Sequence, residues 1–187
     1  LLGWSFCKKK LSNNKELNDS FDDLLTFVIL GIILGGRLGY ILFYNLEYYL
    51  NNLHEIFFFF FGGMSFHGGL IGIFISSYYY CKKNKLNMYI YLDLISMAAP
   101  IGLFFGRIAN FINSELYGRE TDVLWSVKFI NIDNISRHPS QIYEAIFEGI
   151  ILFFLLMYLN KKSIFSRPGV MSSFFLIFYS LFRFIIE

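Results

Sequence analysis

Apolar residues run in long blocks along this chain, separated by short polar stretches. Five blocks reach or approach the roughly 17–25 residues an α-helix needs to cross a hydrocarbon core about 30 Å thick. They are Leu24–Phe43, Ile56–Tyr80, Ile90–Ile112, Gln141–Leu159 and Val170–Ile186, and Leu1–Cys7 reads as the tail of a sixth. The pattern predicts an all-α polytopic integral membrane protein, a helical bundle forming one transmembrane domain over residues 1–187. Residues 113–140 are expected to form a small external cap within it. The chain begins on Leu1 and stops inside an apolar run, so truncated N- and C-terminal helices are expected.

Composition strengthens this reading. Of 187 residues, 56% are hydrophobic and 16% charged, with 24 Phe and 13 Tyr. A soluble domain carries about 25% charged residues, and so many aromatic rings exceed what one core of this size buries. Disorder, a coiled coil and a disulfide-stapled module are excluded. The net charge of +2 is too small to imply a nucleic-acid partner. Cys7 and Cys81 lie at span ends and read as incidental.

Charge then supplies orientation. Lys8, Lys9, Lys10, Lys15, Lys82, Lys83, Lys85, Lys161, Lys162 and Arg167 fall in three alternate loops, which one helix per span places on one side. The positive-inside rule makes that side cytoplasmic. Asn45–Glu55 and Asn113–Ser140 then face outward, and Trp125 and the Tyr pairs sit where an interfacial belt belongs.

Several polar residues interrupt the apolar blocks: Arg37, His67, Arg107, Asn110, Glu144, Glu148, Arg183 and Glu187. An Arg at mid-membrane costs about 2.5–3.5 kcal/mol on insertion scales. With the orientation above, every such cluster falls in the outer half of the membrane. That predicts a central cavity open to the outer leaflet, with arginines forming an anion site. The ordinary alternative is that these groups pair with one another and fix helix packing. Tyr179, Arg183 and Glu187 are four apart and share one helix face. His67 lies between the pairs Gly62-Gly63 and Gly68-Gly69. Glycine pairs at Gly35-Gly36 and the spaced Gly102 and Gly106 point to close helix approach. Asp93, near the inner end of its span, reads as a helix-start residue. Pro100 is expected to kink the same helix, and Arg119, Lys128 and Arg137 read as solvated surface.

The motifs closely resemble those of the bacterial prolipoprotein diacylglyceryl transferase family. The segment from Gly106-Arg107 through Asn110, Glu115 and Gly118-Arg119 is similar to its signature. Gly62-Gly63-Met64-Ser65-Phe66-His67-Gly68-Gly69-Leu70 resembles its histidine-glycine-glycine motif. Gly35-Gly36-Arg37-Leu38-Gly39-Tyr40 and Arg137-His138-Pro139-Ser140-Gln141-Ile142-Tyr143-Glu144 also match, as does Arg167-Pro168-Gly169 through Tyr179, Arg183 and Glu187.

The resemblance implies a multi-pass enzyme of the bacterial inner membrane with its active site toward the periplasmic face. It implies transfer of the diacylglyceryl group of phosphatidylglycerol to the lipobox cysteine of a preprolipoprotein signal peptide, releasing glycerol 1-phosphate. No metal and no other cofactor is expected. Arg107 and Arg183 are the expected phosphate holders, since guanidinium forks match phosphate oxygens. A free thiol titrates at about 8.5, so a base is useful, and His67 is the expected one. Asn110, Glu115, Gly118, Tyr179, Glu187, Arg37 and Tyr40 are expected to shape the substrate site. Two other classes compete. An anion transporter or channel would spread polar groups along the whole span, whereas here the inner halves carry little beyond Asp93. A lipid-binding scaffold would need no base.

Overall fold

The computed structural model describes residues 1–12, 14–57, 63–162 and 167–186. The Gly62 and Glu187 assignments lie outside the described residues. Eight α-helices carry the described fold: α1 (Leu2–Leu11), α2 (Lys15–Tyr44), α3 (Leu46–Asn51), α4 (Phe66–Lys83), α5 (Met88–Ile112), α6 (Ser140–Glu144), α7 (Leu152–Asn160) and α8 (Val170–Ile186). A 3₁₀ turn (Leu53–Phe57) follows α3, and a π-helical segment (Ala145–Ile151) joins α6 to α7. The described β-structure is one antiparallel pair, β1 (Val127–Lys128) and β2 (Ser136–Arg137), with an isolated bridge between Glu120 and Arg137.

Among the described residues three helices are long and apolar enough to cross a membrane: Lys15–Tyr44, Met88–Ile112 and the continuous Ser140–Asn160. Val170–Ile186 is a shorter apolar helix. Phe154 (66%), Leu176 (55%) and Phe184 (83%) remain exposed. Water would penalise so many bare apolar side chains, whereas lipid accommodates them. The protein is an all-α polytopic membrane protein.

Contacts divide the chain into two compact units, Leu11–Met88 and Leu1–Lys10 with Tyr89–Glu187. The Leu11–Met88 unit is built on α2 against α4. Asn14 caps α2, accepting the Leu17 N–H at 3.1 Å, so this helix starts well before its apolar block. Gly31, Gly35 and Gly39 recur every fourth residue of α2 and meet Gly68 and Gly72 of α4. A Cβ on Gly31, Gly35, Gly68 or Gly72 would strike the backbone opposite. Small residues at this spacing let two helices touch main chain to main chain.

In the other unit, α1 lies along α5. The Cys7 thiol meets the Leu94 carbonyl at 3.6 Å, and the Phe6 and Phe153 rings pack edge to face at 5.7 Å. Lys8, Lys9 and Lys10, expected in a loop, form the last turn of α1, where cations favour the carbonyl-rich end. α5 runs unbroken through Pro100. Asp93 does not start its own helix. It is the sixth residue of α5, and its carboxylate accepts the Gly169 and Ser172 N–H groups, both at 2.7 Å. It therefore caps α8, a tertiary partner that local sequence does not announce. Gly102 and Gly106 meet no described residue within 4 Å.

Candidate functional site

The signature segment is organised by the way α5 ends. Ser114 N–H bonds the Phe111 carbonyl (3.2 Å) and Glu115 N–H the Asn110 carbonyl (2.8 Å). This pairing is a Schellman closure, with Ser114 (φ 59°) in the left-handed position. Asn110 Nδ2 donates to Glu115 Oε2 at 3.0 Å, which locks these two site candidates together. Gln141 Nε2 then donates to the Glu115 carbonyl (2.6 Å), and Ser140 Oγ to the Leu116 carbonyl (3.1 Å). The start of α6 is thus tied to the end of α5, and Glu144 is brought beneath the signature.

Above it sits the 113–140 segment. Gly118 N–H donates to the His138 carbonyl (3.0 Å), and His138 N–H to the Arg119 carbonyl (2.9 Å). Arg137 is not solvated surface. Its guanidinium pairs with Asp133 (2.7 Å) and Glu120 (3.6 Å) and lies 4.9 Å over the Tyr117 ring. The Arg137 hydrogen bond holds the Asp133 carboxyl below its usual range.

Inside the apolar helices lies an ionic quartet. Arg107 Nε meets Glu144 Oε2 at 2.8 Å, and Arg183 Nη1 meets Glu144 Oε1 at 2.7 Å. Glu148 stands behind, with its two oxygens 3.5 Å from Arg107 Nη2 and 3.6 Å from Arg183 Nη1. Glu148 is fully buried and Glu144 nearly so. Paired in this way the charges sum to zero, which reduces the cost of holding them away from water. The π turn that carries Glu148 also carries Gly149, where a Cβ would lie 2.7 Å from Phe104 Cβ. π turns of this kind often mark functional positions. Tyr179, one turn before Arg183, adjoins both arginines and Glu148.

A cavity of about 790 Å³ opens onto the Glu144 and Arg183 side of this quartet. Arg183 and Glu144 line it from below, and Gly118, Arg119, His138 and Tyr143 line it from the cap. The Arg183 side chain is 32% exposed and that of Arg107 14%, so Arg183 is the more accessible cation. The Tyr143 hydroxyl accepts from Trp125 Nε1 (2.6 Å) and lies 3.2 Å from His138 Nδ1.

The structure thus brings together Arg107, Arg183, Tyr179, Asn110, Glu115 and Gly118. Among the described residues the other candidates, Arg37, Tyr40 and His67, belong to the Leu11–Met88 unit. Arg37 is 2% exposed, and its guanidinium donates to the carbonyls of Glu55 (2.7 Å), Ile56 (3.1 Å) and Gly63 (3.4 Å). It also lies 5.1 Å over the Tyr49 ring. Its observed contacts therefore hold the segment after α3. The Tyr40 ring stacks on Tyr44 at 5.7 Å, and its hydroxyl accepts from Asn45 at 2.7 Å. His67 is exposed in the first turn of α4, which Ser65 caps through Gly68 N–H (3.2 Å).

The pairing alternative is realised for Arg107 and Arg183, and the carboxylates that do it were not among the predicted site residues. Their signal was present. Glu144 and Glu148 are four apart in an apolar span, the same spacing that marked Tyr179 and Arg183.

These features define a helical membrane protein with an ionic site sunk among apolar helices beneath a small polar cap. The chain belongs to the prolipoprotein diacylglyceryl transferase family, whose profile it matches over residues 1–187. It is 50% identical over 190 residues to a phosphatidylglycerol–prolipoprotein diacylglyceryl transferase of Rickettsia bellii (strain OSU 85-389), covering 100% of this chain and 72% of the relative. Proteins of the same name from Rickettsia typhi (strain ATCC VR-144 / Wilmington) and Rickettsia felis (strain ATCC VR-1525 / URRWXCal2) are 50% and 47% identical, with 100% of this chain and 73% of each relative covered. Like them it is a transferase.

Proposed function

We propose that this chain moves the diacylglyceryl group of phosphatidylglycerol to the lipobox cysteine thiol of a preprolipoprotein. The relatives' names specify phosphatidylglycerol and prolipoprotein. The observation that carries the residue-level reading is the placement of Arg107 and Arg183, from separate helices, on one shared carboxylate at the floor of the cavity.

The thiolate sulfur forms a bond to the glyceryl carbon as that carbon's bond to phosphate oxygen breaks. The departing group is glycerol 1-phosphate, which gains negative charge as it leaves. Fixed cations in a water-poor site stabilise such developing charge without having to reorganise. Glu144 and Glu148 hold the two guanidinium groups ready, and the phosphate enters from the Arg183 side. Gly118 lines the cavity, the Asn110–Glu115 hydrogen bond fixes the turn that leads to it, and Tyr179 stands beside the arginines. Glu187, Arg37 and Tyr40 retain their place as substrate-site candidates from the sequence motifs. The thiol proton goes to His67, a role that rests on the sequence motif and on imidazole chemistry. The helices cross the bacterial inner membrane, with the cap on the periplasmic side, where secreted precursors emerge.

Membranes holding the full-length protein, labelled phosphatidylglycerol and a lipobox peptide test this directly. Label should appear on the peptide with stoichiometric glycerol phosphate release, and Arg183→Lys and His67→Gln should each slow it at least tenfold. Uptake of phosphate-bearing solute without peptide labelling would point instead to a transporter. Normal turnover by Arg183→Lys would remove the bidentate phosphate argument, and normal turnover by His67→Gln the base.

A further inference from the structure

The Arg167-Pro168-Gly169 motif lies at the opposite end of α8 from Arg183, so phosphate binding does not explain it. Its surroundings do. Gly169 has φ +93°, and a Cβ there would lie 3.1 Å from the Tyr89 ring at the start of α5. Asp93, one turn further along α5, is almost fully buried and receives the Gly169 and Ser172 N–H groups at 2.7 Å each. The α8 N-terminus is therefore seated on the beginning of α5 by two short charge-assisted bonds.

At their other ends the same two helices present Arg107 and Arg183 to Glu144. The sequence intervals match. Asp93 precedes Arg107 by fourteen residues, and Gly169 precedes Arg183 by fourteen. Fourteen helical residues span about 21 Å. Two helices joined at one end, with equal intervals from the joint, deliver their arginines to the same carboxylate. A slip of one residue along α8 would shift Arg183 by about 1.5 Å and turn it by about 100°. Either change breaks the 2.7 Å pairing with Glu144.

We propose that Asp93 is a positioning residue for diacylglyceryl transfer, fixing the depth of Arg183 beside Arg107 from about 21 Å away. It touches no substrate. The proposal deepens the phosphate-holding reading of the two arginines and rests on it.

The test uses the full-length enzyme in proteoliposomes, with initial rates measured against phosphatidylglycerol at fixed peptide and against peptide at fixed lipid. Asp93→Asn keeps the size but leaves one acceptor facing two donors. Asp93→Glu keeps the charge and lengthens the arm. Each should raise KM for phosphatidylglycerol at least fivefold while KM for the peptide stays within twofold. A loss of folded enzyme would lower the maximal rate with both KM values unchanged, and that result overturns the proposal. A second arm covers an Asp93→Asn protein recovered in low yield, because it compares rates per folded molecule. On an Arg183→Lys background, Asp93→Asn should reduce kcat/KM for lipid less than twofold further, and a full multiplicative loss overturns the proposal. If Arg183→Lys alone leaves the lipid kinetics intact, the phosphate reading fails and the positioning proposal falls with it. If Arg183→Lys is impaired and both Asp93 variants behave as wild type, only the positioning proposal fails.

Discussion

Arg107 and Arg183 meet on the two oxygens of a single carboxylate, Glu144, at 2.8 and 2.7 Å. Glu148 reaches the same pair at 3.5 and 3.6 Å. The shorter contacts make Glu144 the stronger organiser. Glu144→Gln leaves one neutral oxygen for two guanidinium groups, and removing one partner of a buried ion pair typically costs about 3–5 kcal/mol. Transfer rates in purified enzyme should therefore fall further for Glu144→Gln than for Glu148→Gln. The reverse ranking would mean that burial depth, not contact length, governs the quartet.

The glycine seam of α2 and α4 predicts a contrast in stability. Gly72→Ala would drive a methyl into the Gly31 backbone, and Gly35→Ala into that of Gly68. Overpacking costs about 1–3 kcal/mol, so both variants should unfold at lower temperature in detergent. Gly102→Ala has no described neighbour within 4 Å to strike. Alanine is favoured over glycine within a helix by about 1 kcal/mol, so its melting temperature should hold or rise. Equal losses at all three positions would count against main-chain contact along the seam.

What was legible in the sequence was the misplaced charge. Arg107 and Arg183 announce themselves because lipid tolerates few unpaired cations. Their partners were harder to read, because pairing is tertiary. Glu144 and Glu148 look like two more misplaced groups until the helices are assembled. Asp93 shows the same limit in reverse. Its position near a helix start suggested a local dipole role, whereas its carboxylate serves a helix that begins some 77 residues later. Arg37 donates to three main-chain carbonyls, partners that carry no side-chain signature in the sequence. The π turn at Ala145–Ile151 has no composition cue either, because Glu144 and Glu148 keep the four-residue spacing of an ordinary α-helical face.

Gly118 links cap to quartet and should be intolerant of any side chain. A Cβ there would lie 2.6 Å from the carbonyl oxygen of His138, which follows β2 and leads into α6. Backbone must then move, and the Gly118 N–H bond to that oxygen at 3.0 Å is lost. Gly118→Ala should lower kcat/KM roughly tenfold or more, a barrier change of about 1.4 kcal/mol. The helices do not depend on this contact, so thermal unfolding should change little. Full activity in Gly118→Ala would show that the cap wall can shift without disturbing transfer.

Acid should loosen the cap before it loosens the helices. Asp133 binds Arg137 at 2.7 Å and also receives the Ile135 N–H at 3.1 Å. Its carboxyl therefore titrates below its ordinary value, chiefly because of the Arg137 hydrogen bond. A group whose folded value is depressed stabilises the fold above its unfolded value, about 3.9 for Asp. That contribution is complete near neutral pH and disappears as pH falls through the folded value. Arg137 stays charged throughout, and Glu120, 3.6 Å away and largely exposed, is a weaker second partner. Hydrogen exchange across residues 126–138 should be flat from about pH 5 to 8, after correction for intrinsic rates, and protection should drop below about pH 4. In Asp133→Asn protection should be lower at neutral pH, with the acid-dependent drop much reduced. Added salt should weaken the wild-type advantage, because the pair lies near the surface. Identical acid profiles for the two proteins would show that another carboxylate ties the cap.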